Sequence, residues 1–113
     1  MHEMSIAEGI LDIALDYAKQ NNAARIGKVA LRLGEMASVE RESLAFCWET
    51  VRQGTIAERA ELAIEDVPLI GRCTSCGAEG HVERYNFICP ACKAGVLEII
   101  SGREMQVAYL EME

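Results

Sequence analysis

No uncharged apolar run in this chain reaches the ~20 residues that a membrane-spanning helix needs. No basic segment leads into a hydrophobic stretch in the manner of a secretory leader. The protein is therefore expected to be soluble and cytoplasmic, with no membrane partner. Basic residues are also scarce: 11 Lys and Arg stand against 18 Asp and Glu, a formal net charge of -7. A nucleic-acid-binding chain needs a basic face for the phosphates, so that class is disfavoured. There is no glycine-rich loop to cradle a nucleotide phosphate and no Ser-His-Asp arrangement. Internal repeats and low-complexity tracts are absent too. Nothing here reads as an enzyme.

What is present is cysteine in a particular spacing. Cys73-Thr74-Ser75-Cys76 and Cys89-Pro90-Ala91-Cys92 form two C-x-x-C pairs separated by a short loop. That spacing matches tetrahedral four-cysteine zinc sites. Small residues follow each pair, with Gly77 after the first and Lys93-Ala94-Gly95 after the second. Glycine there permits the tight turn that aims amide groups at thiolate sulfurs. Two disulfides would need an oxidising compartment, which nothing suggests. A redox C-x-x-C would come once, near a βαβ pattern, rather than as a facing pair. Structural zinc is the favoured reading, and rubredoxin-like iron is its rival. Arg72 and Lys93 lie beside the ligands in sequence and are expected to offset part of the thiolate charge. The fifth cysteine, Cys47, sits in the apolar stretch Leu44-Ala45-Phe46-Cys47-Trp48 and reads as a buried structural thiol.

The chain opens Met1-His2-Glu3. This places an α-amine, an imidazole and two backbone amides within one short stretch, a nitrogen-rich nest suited to square-planar Ni(II) or Cu(II). Connectivity limits it. The His2 amide nitrogen must lie cis to the Met1 amine, to the Glu3 amide and to its own imidazole, yet a donor in a square plane has two cis neighbours. The plane is therefore distorted or completed from outside, by the Glu3 carboxylate, Glu40, His81, water or a partner. Glu40 is as well explained by a favourable charge at a helix start. His81 reads as a solvated loop residue.

Ile6, Ile10, Ile13 and Tyr17, widened by Leu11 and Ala14, give the period of a helix over about Met4 to Tyr17, with Ser5 and Glu8 as a capping box. Residues Ile26 to Leu33 alternate as a half-buried strand. Ser38 is the expected N-cap of a second helix bearing Leu44, Cys47, Trp48 and Val51 and stopping near Gly54. A second strand follows around Ala60–Asp66. Strand, helix, strand implies a right-handed crossover with parallel pairing. A two-stranded sheet is marginal, so the alternating Arg103–Met112 segment should return to complete it. The expected fold is α+β: a small three-stranded mixed sheet with two helices, plus an inserted zinc-ribbon-like four-cysteine module. Its domains would be residues 1–67 with 102–113 (nickel-binding) and residues 68–101 (zinc-binding).

Taken together, Met1-His2-Glu3, an α/β first half and a late four-cysteine module resemble the HypA/HybF family of hydrogenase maturation nickel chaperones. Leu31-Arg32-Leu33-Gly34, Ser43-Leu44-Ala45-Phe46-Cys47 and Gly54-Thr55-Ile56-Ala57-Glu58 extend the likeness over essentially the whole chain. The resemblance implies a nickel metallochaperone that delivers Ni(II) into a [NiFe] hydrogenase precursor, with urease also served in some relatives. It implies a HypB-type GTPase and the hydrogenase large-subunit precursor as partners of a monomer or homodimer. Carried over by position, His2 is the essential nickel ligand and Glu3 belongs to the nickel motif, with Met1 supplying the amine. Cys73, Cys76, Cys89 and Cys92 hold structural zinc. The competing reading is a zinc-ribbon adaptor without exchangeable metal.

Overall fold

The computed structural model describes residues 2–113. Helix α1 runs Glu3–Gln20, strand β1 Ile26–Gly34, helix α2 Arg41–Val51 and strand β2 Glu61–Val67. Three short strands follow, β3 Ile70–Cys73, β4 Glu79–His81 and β5 Leu97–Ser101, and β6 Met105–Met112 ends the chain. One mixed sheet has the order β2-β1-β6, and a second has the order β4-β3-β5. The predicted fold class is the observed one.

Strand β6 returns to the first sheet antiparallel to β1. Arg25 and Glu113 exchange both backbone bonds, at 3.2 and 2.8 Å, and at the far end Gly34 N–H donates to the Glu104 carbonyl at 2.6 Å. In a mixed sheet this leaves the parallel pairing to β1 and β2, as the crossover through α2 requires.

The chain divides into two compact units. One comprises the described residues up to Arg32, with Ser38–Glu65 and Gln106–Glu113; the other comprises Leu33–Ala37 and Asp66–Met105. The first unit buries Ala7, Ile10, Leu11, Ala14 and Ala18 of α1, Val29 and Leu31 of β1, and Leu44 and Trp48 of α2, and α1 packs on α2. The Trp48 indole, almost fully buried, satisfies its N–H on the Ala60 carbonyl at 2.9 Å.

Four local expectations change. Helix α1 begins at Glu3 with His2 as N-cap and no side-chain cap, so Ser5 lies inside the helix and forms no capping box. An acid in the first turn already complements the helix dipole. The flank of α1 that is covered is not the whole predicted stripe: Ile13 and Tyr17 stay 44% and 52% exposed. The N-cap of α2 is Glu40, whose carboxylate accepts from the Glu42 and Ser43 amides, while Ser38 takes a left-handed φ of 55°. Cys47 is only partly buried.

The second unit packs Leu69, Cys73, Val82, Cys89 and Leu97 into one cluster, with Met36, Ala78, Phe87 and Ile99 against it. Strand β3 is its centre, antiparallel to both β4 and β5. Within this unit Gly34 passes so close to Gly102 that a Cβ at position 34 would strike the Gly102 carbonyl.

Candidate metal centre

The two C-x-x-C turns are built alike. In the first, Gly77 N–H closes onto the Cys73 carbonyl at 3.0 Å; in the second, Lys93 N–H closes onto the Cys89 carbonyl at 2.8 Å. Gly77 and Lys93 both stand one residue past a cysteine and both take the left-handed conformation, with φ of 78° and 62°. The amides of Ser75 and Cys76 donate to the Cys73 sulfur, and the Gly95 amide donates to the Cys92 sulfur, all at 3.3 Å. A Cβ at Gly95 would collide with the Cys73 sulfur, so only glycine fits there.

These turns bring four sulfurs together. All lie within 4.8 Å of one another, and the Cys73–Cys92 and Cys76–Cys89 separations are both 3.7 Å. Zinc–thiolate bonds of about 2.3 Å in a tetrahedron require sulfurs about 3.8 Å apart. The donor set therefore fits a tetrahedral thiophilic ion, and the four cysteines are free thiols rather than disulfides.

The turns also polarise the sulfurs. Donation by the Cys76 amide, aided by Ser75, pulls Cys73 down to about 6. At Cys76 the Ala78 amide favours the thiolate, but the neighbouring Cys73 and Cys89 sulfurs outweigh it and push that thiol up to about 11. The Ala94 and Gly95 amides lower Cys92. Beside Cys73 in sequence, the Arg72 guanidinium binds the Glu79 carboxylate at 2.8 Å.

The N-terminal residues lie at the start of α1. Met1 falls outside the described residues. His2 is exposed and caps the helix, its carbonyl accepting from Ile6 N–H at 3.1 Å. That is the first bond of the ladder, so the Glu3 amide is not used by it. The Glu3 carboxylate accepts from the Glu40 backbone N–H at 3.3 Å, which ties the α1 start to the α2 start. Beside it Glu3, Met4, Glu40, Glu42, Phe46 and Cys47 border an open hollow of about 450 Å³.

His81 is not a free loop residue. It ends β4, and its Nε2 meets Glu35 at 2.7 Å while its Nδ1 meets Glu83 at 2.9 Å. Glu35 and then Glu83 raise the imidazole above its ordinary range. Glu35 is in turn lowered, first by the Leu69 amide that donates to it at 3.0 Å and then by His81. Sequence reading missed this clasp. The two partners stand 46 residues apart, and no local period links them.

A family model described as "Hydrogenase/urease nickel incorporation, metallochaperone, hypA" matches residues 1–112. The hydrogenase maturation factor HypA of Aquifex aeolicus is 40% identical over 113 residues, covering all of this chain and 98% of that protein. Its counterpart in Chlorobaculum tepidum is 42% identical over the full length of both. Among solved structures, the solution structure of the Ni metallochaperone HypA from Helicobacter pylori aligns with a TM-score of 0.71 at 26% identity. It covers 99% of this chain and 97% of that one.

Proposed function

The chain belongs to the HypA family of hydrogenase and urease nickel-incorporation metallochaperones, which are maturation factors and not enzymes, and from that premise we propose that it binds Ni(II) through Met1, His2 and Glu3 and hands it to a [NiFe] hydrogenase precursor. The observation that carries this reading is the start of α1. The Glu3 amide lies ahead of the first ladder bond, so a metal can take it without breaking helix structure. The Glu3 carboxylate, held by the Glu40 amide, adds negative charge where the helix dipole is positive. An exposed His2 then closes a nitrogen-rich chelate that favours Ni(II) over tetrahedral Zn(II).

Release follows from the same connectivity. The chelate leaves a coordination position incomplete, and the adjoining open hollow gives a receiver access to it. Deprotonated amides also make the site proton-sensitive, so acidification favours unloading. The HypB-type GTPase and the hydrogenase large-subunit precursor are the proposed partners, in the cytoplasm. Cys73, Cys76, Cys89 and Cys92 would hold Zn(II), which supplies structural cross-linking; all four positions are protein ligands, so the site is closed to substrate.

The test is titration of Ni(II) into protein with an unextended terminus, alongside metal analysis. One saturable nickel site should vanish in His2→Ala and in protein carrying residues before Met1. A colourless sample with about one zinc per chain should persist in both. Undiminished nickel binding by the extended protein would exclude the amine. Absence of any saturable site in the native chain would leave the zinc-ribbon adaptor.

A further inference from the structure

Among the described residues of the second unit, Arg84, Tyr85 and Lys93 are the ones other than glycine with a left-handed backbone, at φ of 49°, 58° and 62°. A residue with a Cβ rarely takes that conformation and carries strain there that glycine would avoid. Such strain persists where the surrounding fold fixes it, and it gathers at sites of function. The fold fixes it here. Val82 N–H donates to the Leu69 carbonyl at 2.9 Å, and Asn86 N–H donates to the Glu83 carbonyl at 2.8 Å. At Lys93 the cysteine turn itself demands the conformation, as it does at Gly77. Yet the three side chains give the module nothing in return. All are exposed, and among the described residues none makes a hydrogen bond or an ion pair.

One hairpin joins them. Leu97 N–H donates to the Phe87 carbonyl at 2.7 Å and Cys89 N–H to the Gly95 carbonyl at 2.9 Å. Ile88 and Val96 therefore stand directly opposite each other, in the close pairing that carries no hydrogen bond of its own. Alternation turns Cys89 and Leu97 inward and this pair outward, 58% and 59% exposed. An uncovered apolar pair thus lies between Arg84 and Tyr85 at the entry to the hairpin and Lys93 at its turn.

We propose that this hairpin face docks a short segment of a partner protein in which apolar residues are flanked by acids. Charge selects that occupant. The acids of the unit are already engaged: Glu79 binds Arg72, Glu35 and Glu83 hold His81, Glu104 accepts from the Gly102 amide, and Glu98 stands opposite Arg72 across β3 and β5. The cations at the two ends of the hairpin are left uncompensated. The chain as a whole carries -7, so an acidic segment is repelled by the molecule at large and drawn to these cations, which sets where it lands. A basic segment would be drawn instead to the 18 acids. Tyrosine and arginine are favoured anchors of protein interfaces, and the Ile88–Val96 pair supplies apolar ground between them and Lys93. None of these residues belongs to the proposed nickel site or to the four-cysteine donor set, so the proposal does not depend on the cargo.

Amide chemical-shift titration of the zinc-loaded full chain tests this, with the end-blocked peptide Asp-Glu-Leu-Val-Glu-Asp as probe. Saturable shifts should centre on residues 84–88 and 93–97, and binding should weaken by about tenfold in high salt. Arg84→Asn with Lys93→Asn removes both charges while suiting the left-handed backbone, and Ile88→Ser with Val96→Ser removes the apolar pair. Each double variant should lose the shifts and keep native circular dichroism and zinc content. Arg84→Gly with Tyr85→Gly should also lose them, with no fall in melting temperature, because glycine relieves the strain. A fall there would show that the pair supports the fold rather than a partner, and it overturns the proposal. So do the absence of saturable shifts, shifts centred on other residues, and equal binding of the basic peptide Lys-Arg-Leu-Val-Arg-Lys, which would make the face merely apolar.

Discussion

At the scale of single residues, His81 is the most informative side chain. An imidazole with a carboxylate on each ring nitrogen is held best as the cation. The folded pKa of His81 is raised, so its contribution is complete below the ordinary imidazole value, about 6.5, and is lost as pH rises through the folded value. Glu35 is lowered, so its contribution is present above the ordinary carboxylate value and fails only as pH falls through its folded value. The clasp is thus whole in mildly acidic solution and loosens on the alkaline side. Denaturation of zinc-loaded wild type and His81→Gln should show a stability gap that is largest near pH ~6 and shrinks by pH ~9. A gap independent of pH would mean that the contact works as a neutral hydrogen bond. Nothing in the sequence announced it. Glu35 and His81 carry no spacing signal, whereas Cys73, Cys76, Cys89 and Cys92 announce themselves because two short turns must present their sulfurs.

At the scale of elements, the periodic features were legible and the ends were not. The alternation of Val29, Leu31 and Leu33 identified β1 through its period of two, but the strand is not half-buried as expected, because Ile26 and Ala30 of its other face are buried too. The helix period of α1 was equally plain, but a period does not say which flank a neighbour covers, and Ile13 and Tyr17 were left out. At α2 the residue preferences misled. Ser38 is the better capping residue by type, yet Glu40 caps because its carboxylate reaches the Glu42 and Ser43 amides at 3.0 and 3.4 Å. Glu40→Ala should therefore cost about 1 kcal/mol in chemical denaturation, and Glu40→Asp should recover most of it. The bond from the Glu40 backbone to Glu3 survives either change, since it uses the amide. Equal stability of wild type and Glu40→Ala would show that the carboxylate contributes nothing as a cap.

At the scale of the whole molecule, the two units differ in what holds them. The first buries apolar side chains from each of α1, β1 and α2. In the second, two of the five residues in the buried cluster are Cys73 and Cys89, which belong to the proposed zinc site. A segment of roughly 40 residues with so small a core depends on a metal or another staple. Without the ion, four thiols sit with sulfurs as little as 3.7 Å apart. Cys73 falls near 6 and Cys76 near 11, so the metal-free cluster is partly protonated at neutral pH and reloading must expel protons. Chelation of the metal, or Cys73→Ser or Cys92→Ser, should then erase amide-exchange protection across β3, β4 and β5. Protection around Leu11, Ala14, Leu44 and Trp48 should persist, with helical circular dichroism retained. Reloading should be slower in acid than at neutral pH, because each thiolate must be freed before it binds. Protection of β3 that persisted in demonstrably metal-free protein would show that Leu69, Val82 and Leu97 suffice, and that the four cysteines serve some end other than stability.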